Sequence, residues 1–144
     1  MKRNAVPRHT CAIALAMLAV SAVLAPPVSA RSDEVVRAHS GVMYVTGGIG
    51  SDAVDRLKSI ESDFNLKLVF ANTSGAYLSD VRVTLIDASG HVALDTKSEG
   101  PILMAKLPAG GYRVDATFDG RSERRKITVA ASTLVTVDLR WASK

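Results

Sequence analysis

The chain has 144 residues, 22% of them charged, with one cysteine and one tryptophan; that is material for one domain rather than two. Its 18 basic and 14 acidic side chains give a formal net charge of +4. Such a surplus would suit a nucleic-acid surface only if the folded part carried it, and the order of residues shows that it does not.

Residues 1–30 have the three-part layout of an export signal. Lys2, Arg3 and Arg8 form a basic front, residues 11–25 form an uncharged apolar run, and Pro26-Pro27 ends the helix that run would make. Val28-Ser29-Ala30 places small residues before Arg31, where cleavage is expected. The apolar run is shorter than the ~20 residues that span a bilayer, so the product is expected to be periplasmic or secreted and not membrane-spanning after cleavage. Three basic residues and no acidic one leave with the signal, so the remaining 114 residues carry a net charge of +1. Nucleic acid is therefore not expected as a partner. Cys11 stands at the start of the apolar run, whereas a lipid-bearing cysteine would stand at its end. The exported part has no thiol, which excludes disulfides and thiol chemistry from it.

Residues 31–40 are polar and are expected to form a flexible N-terminus ahead of a single domain over 41–144. Gly41-Val42-Met43-Tyr44-Val45-Thr46 is a predicted strand, followed by a Gly47-Gly48-Ile49-Gly50 loop. Ser51 suits a helix N-cap, with Asp52 and Asp55 where the helix dipole favours them. Val54, Leu57, Ile60 and Phe64 recur at helical spacing, which predicts one α-helix over about 52–64, stopped near Asn65.

Strand patterns fill the rest. Leu66, Leu68 and Phe70 alternate with Lys67, Val69 and Ala71; Val81, Val83 and Leu85 alternate with Arg82, Thr84 and Ile86. Asp87-Ala88-Ser89-Gly90 fits a type I turn, with an antiparallel return from His91. A further strand spans about 101–106, and Pro108-Ala109-Gly110 reverses the chain. Tyr112, Val114, Ala116 and Phe118 alternate with Arg113, Asp115 and Thr117 up to Asp119-Gly120, a two-residue hairpin signal. That turn sets Tyr112 opposite Ile127 and Asp115 opposite Arg124. Val135, Val137, Leu139 and Trp141 share one face of the last strand. About eight short strands with one wet and one dry face each make two facing sheets, with the helix over an end or an edge.

From Leu78 to Trp141 the order Val81-Arg82-Val83-Thr84-Leu85-Ile86-Asp87, Gly90, Gly100-Pro101, Leu107-Pro108-Ala109-Gly110 and Tyr112-Arg113-Val114 resembles the carboxypeptidase regulatory-like domains, which share the transthyretin (prealbumin) sandwich. The resemblance covers about half the chain and is carried by the strand–Asp–x–x–Gly turn and the Leu-Pro-x-Gly-x-Tyr corner. It implies a transthyretin-like antiparallel β-sandwich and a non-catalytic binding or accessory module. Upstream, Tyr44-Val45-Thr46-Gly47-Gly48-Ile49-Gly50, a helix and Asn65-Leu66-Lys67-Leu68 are similar to small exported bacterial proteins carrying that domain. The same fold includes a hydrolase of 5-hydroxyisourate that needs a terminal Tyr-Arg-Gly-Ser; here Val114-Asp115 follow Tyr112-Arg113 and the chain ends Trp141-Ala142-Ser143-Lys144, so its catalytic residues do not carry over.

Two segments are candidate partner contacts. Gly47, Gly48, Gly50 and Ser51 precede a helix and would present backbone N–H groups to an anion, or else form a tight connection that only glycine permits. Arg121, Arg124, Arg125 and Lys126 form the densest positive cluster, suited to an acidic envelope component or another protein, or else to guarding a sheet edge. His39 and His91 lack metal-ligand spacing, and Asp87 with Asp95 would form an acid–base pair only in a cleft. No catalytic residue, cofactor or metal is expected. The reading is an exported binding module of the cell envelope; the alternatives are a small hydrolase with a site built across an oligomer, and a self-assembling structural subunit.

Overall fold

A computed structural model describes residues 36–143; the expected signal and residues 31–35 lie outside the described residues. The described part comprises β1 (Arg37–His39), β2 (Val42–Gly47), α1 (Ser51–Ile60), a 3-10 turn (Glu61–Asp63), β3 (Leu66–Asn72), β4 (Arg82–Asp87), β5 (Val92–Lys97), β6 (Ile102–Lys106), β7 (Gly110–Phe118), β8 (Arg121–Val129) and β9 (Val135–Trp141). Two sheets face each other, one in the order β1-β2-β6-β3-β9 and the other β5-β4-β7-β8.

The alternation of apolar residues decides which face is dry. Leu66, Leu68, Phe70, Leu103 and Leu139 of the five-stranded sheet meet Val83, Leu85, Leu94 and Val114 of the four-stranded one, all fully buried. Each such burial contributes roughly 1.5–3 kcal/mol, the main source of stability open to a domain with no thiol. Asp119 (φ 49°) and Gly120 (φ 74°) both adopt the left-handed conformation of a type I′ turn. They set the register Tyr112 to Ile127 and Asp115 to Arg124. The corner tyrosine is buried, and the Tyr112 hydroxyl donates to the Pro108 carbonyl at 2.7 Å. Trp141 closes one side: its ring packs against Phe70 and Phe118, with centroids at 6.4 and 6.1 Å. The Trp141 Nε1–H donates to the Arg121 carbonyl of the other sheet at 2.9 Å.

Four expectations are corrected. Residues 37–39 are not loose: Ser40 and Gly41 (φ 50° and 81°) make a tight turn that pairs β1 with β2, and Arg37 reaches Glu99 at 2.6 Å. The sandwich is not wholly antiparallel, because β3 and β9 run parallel. The chain enters β9 by crossing over from the four-stranded sheet, so no hairpin dictates its direction. The helix covers neither an end nor an edge: Leu57 and Phe64 pack on Val45 and Met104 on the outer face of the five-stranded sheet. Strand β6 requires this, since Ile102 and Met104 are apolar on one side and Leu103 and Ala105 on the other. Lastly, Ser51 is the first helical residue; Gly50 (φ 89°) is the N-cap and makes no side-chain cap, while the Ser51 hydroxyl lies 3.4 Å from the Asp52 carboxylate.

Candidate functional site

The period of two divides the positive cluster. Arg121, Glu123 and Arg125 stand opposite Phe118, Ala116 and Val114, so they share the inner side of β8, the edge strand. Arg125 Nη1 lies 3.2 Å from Glu123 and donates to the Arg124 carbonyl at 3.0 Å. Charges turned inward along an edge discourage a further strand from pairing there. Arg124 and Lys126 lie on the outer face instead, opposite Asp115 and Arg113. Four residues grouped by sequence thus form two pairs with different surroundings.

The outer face follows from the registers. Lys97, Arg82, Thr117 and Ser122 make one row; Asp95, Thr84, Asp115 and Arg124 the next; Ile86, Arg113 and Lys126 a third; Gly111 and Thr128 a fourth. Arg82 pairs with Asp95 at 2.8 Å and Lys97 with Asp80 at 3.4 Å. Asp115 is shared between Arg124 at 2.8 Å and Arg113 at 3.2 Å. The Lys126 side chain has no ion pair or hydrogen bond among the described residues. Two arginines therefore share one carboxylate at the β7–β8 end, and Lys126 stands opposite one of them, Arg113. Beside them is a groove of about 430 Å³ lined by residues that include Asp87, Ala88, Gly111, Arg113, Lys126 and Thr128. Gly111, Arg113 and Thr128 are additions to the expected contacts. The hairpin register that places Asp115 opposite Arg124 also implies Arg113 opposite Lys126, so the signal was present in the sequence.

Glycine is required around loop 47–50 by close approach at Gly48 and Gly100 and by positive φ at Gly50. A Cβ on Gly48 (φ 92°) would lie 3.0 Å from the Ile102 side chain, and a Cβ on Gly100 would run into the Gly47 carbonyl. Asp52 already supplies negative charge to the first turn of α1, which competes with an external anion. The loop borders an apolar groove of about 340 Å³ with Tyr77, Leu78 and Pro101, where Ile49 and Tyr77 are 69% and 72% exposed. It follows β2 of one sheet, whereas the basic residues belong to the other, so the two candidate contacts are separate places.

The remaining polar residues are held locally. Asp87 Oδ1 accepts from the Ser89 hydroxyl at 2.7 Å and from the Ser89 and His91 N–H groups at 3.0 and 2.9 Å. The Ser89 hydroxyl first, and then the His91 N–H, hold the Asp87 carboxyl below the usual aspartate range. Ser89 Oγ also lies 2.7 Å from His91 Nδ1. In a Ser-His-Asp relay the imidazole stands between hydroxyl and carboxylate; here the hydroxyl stands between the other two, as a turn requires. Asp95 is engaged with Arg82, so Asp87 and Asp95 are not brought together as a pair. His39 and His91 are both exposed. Burial, and secondarily the Asp87 charge, raise the Tyr112 hydroxyl above its usual value.

Neither a scan of protein-family models nor a search of curated proteins gives a match. Among solved structures the chain is similar to the Bacillus anthracis TIE protein, at 15% identity and a TM-score of 0.43. That likeness covers 54% of this chain and 16% of that one, so the chain spans less than a fifth of the other protein's length. None of these comparisons shows the carboxypeptidase regulatory-like domain expected from the turn and corner residues.

Proposed function

We propose that the protein is an exported, non-enzymatic binding module of the cell envelope, whose contact surface is the outer face of the four-stranded sheet at β7 and β8. The observation that carries this reading is the concentration of charge. The chain beyond residue 30 has a net charge of only +1, yet on one face Arg113 and Arg124 share the carboxylate of Asp115, and Lys126 stands opposite Arg113 with no ion pair of its own among the described residues. A β-sheet is a stiff platform, so an acidic partner meets these cations without first ordering a loop. Arg121 and Arg125 guard the strand edge and take no part. The accessory role implied by the corner and turn motifs agrees with this.

The test is retention of the purified protein on envelope fractions over a salt gradient. Retention at low salt and release near about 0.1 M, where the screening length falls to ~10 Å, is the expected result; retention indifferent to salt would remove the basic face as the contact. Export is tested separately by mass spectrometry of the N-terminus, with Arg31 expected and Met1 contradicting it.

A further inference from the structure

The groove over Gly111 breaks two local rules at once. Arg113 and Lys126 stand directly opposite each other on adjacent strands, and like charges so placed destabilise a sheet. Gly111 lies within β7, where glycine weakens a strand and marks close approach by another group. Neither packing nor backbone explains this glycine: a Cβ there would meet nothing within 4 Å, and its φ is outside the range that only glycine favours. The corner motif uses Gly110 and Tyr112 and leaves position 111 open. Two unfavourable choices side by side, at the floor and rim of one groove, mark a place kept for something other than stability.

We infer that this groove binds a phosphodiester group. The inference rests on the binding-module reading and gives it a ligand chemistry. In the sheet lattice, Gly111, Arg113, Lys126 and Thr128 occupy the corners of a cell about 5 Å by 7 Å. Three corners carry donors, a guanidinium, an ammonium and a hydroxyl; the fourth has no side chain and leaves room. A phosphodiester sets its two anionic and two ester oxygens at the corners of a tetrahedron, which spreads its acceptors towards the three donor corners, whereas the acceptor sites of a carboxylate lie in one plane. Charge agrees: Arg113, Arg124 and Lys126 exceed Asp115 and Asp87, the two carboxylates at this end, by one, which matches a singly charged diester. Asp87 Oδ1 is already occupied by its turn. A volume of about 430 Å³ is within the range of small-ligand sites.

The test is an amide-resolved NMR titration of the purified protein with glycerophosphoglycerol, and with acetate at equal ionic strength. Saturable shifts centred on Gly111 and Thr128, absent with acetate, are expected. Lys126→Gln should weaken binding about tenfold, the effect of losing one charge-assisted hydrogen bond. Gly111→Ala should weaken binding while raising the thermal midpoint, a combination that a merely structural glycine cannot give. Arg121→Gln with Arg125→Gln should change nothing. Equal responses to acetate, or shifts spread over every basic residue, would overturn the inference. Phosphatidylglycerol vesicles, with phosphatidylcholine vesicles for comparison, identify the source: retention that glycerophosphoglycerol displaces points to a lipid headgroup, and soluble binding without retention to a soluble diester. If the titration fails while salt-sensitive envelope retention persists, the ligand chemistry is wrong and the module reading stands. If the titration succeeds without envelope retention, the ligand chemistry stands and the envelope reading is wrong.

Discussion

At the scale of single residues, the buried polar side chain that joins three segments gave little warning. Asn65, 1% exposed, donates from Nδ2 to the Leu107 and Ala130 carbonyls at 2.7 and 3.0 Å and accepts from the Leu107 N–H at 2.8 Å. It ties the start of β3 to the corner before β7 and to the end of β8. Read from sequence, an asparagine after a helical stripe marks a stop, because its long-range partners, 42 and 65 residues away, leave no local trace. Asn65→Ala leaves a buried N–H and two carbonyls without their partner and is expected to cost about 3 kcal/mol, measured by urea unfolding. Asp87 was legible, since its turn chemistry is local. Its carboxyl is held below the usual range in the folded state, so its charged form stabilises the fold above the unfolded value of about 3.9. That contribution is lost as pH falls through the lower folded value. Asp87→Asn should therefore show a smaller drop in the urea midpoint between pH 7 and pH 3 than the parent protein; an equal drop would mean the turn contributes nothing to acid stability.

At the scale of elements, β7 and β8 show what a periodic pattern conveys. Asp119-Gly120 specifies a two-residue turn because both positions need positive φ, and the turn then fixes every pair along the hairpin. The same register sorts the basic residues into an edge-guarding pair and an outward pair, which reading them as one cluster concealed. Strand β1 was missed although Ser40-Gly41 offers a similar, weaker turn signal, because three residues are too few for alternation to show. The place of α1 was missed for another reason. Its stripe predicts a helix with one apolar side but not which surface receives it; that depended on Val45, Ile102 and Met104, apolar residues on the side of the sheet assumed wet. Leu57, 2% exposed, is the centre of that contact. Leu57→Ala is expected to cost about 2–4 kcal/mol while leaving the near-ultraviolet signal of Trp141 unchanged, since Trp141 belongs to the separate core between the sheets. A changed tryptophan signal would mean that the two clusters fold as one.

At the scale of the whole molecule, the two-layer arrangement was legible from alternation alone, and the parallel pairing of β3 with β9 was not. The first depends on residues two apart, the second on where a crossover lands after eight strands. The sandwich holds the outer face of the four-stranded sheet rigid and concentrates positive charge at one end of it. Whether that face makes the contact is read most directly from retention on envelope fractions of two double variants, Arg124→Glu with Lys126→Glu and Arg121→Glu with Arg125→Glu. Both change the net charge by the same amount, so only the face differs. Retention should be lost for the outward pair and kept for the edge pair; the reverse pattern, or full retention of both, would contradict a basic face that binds.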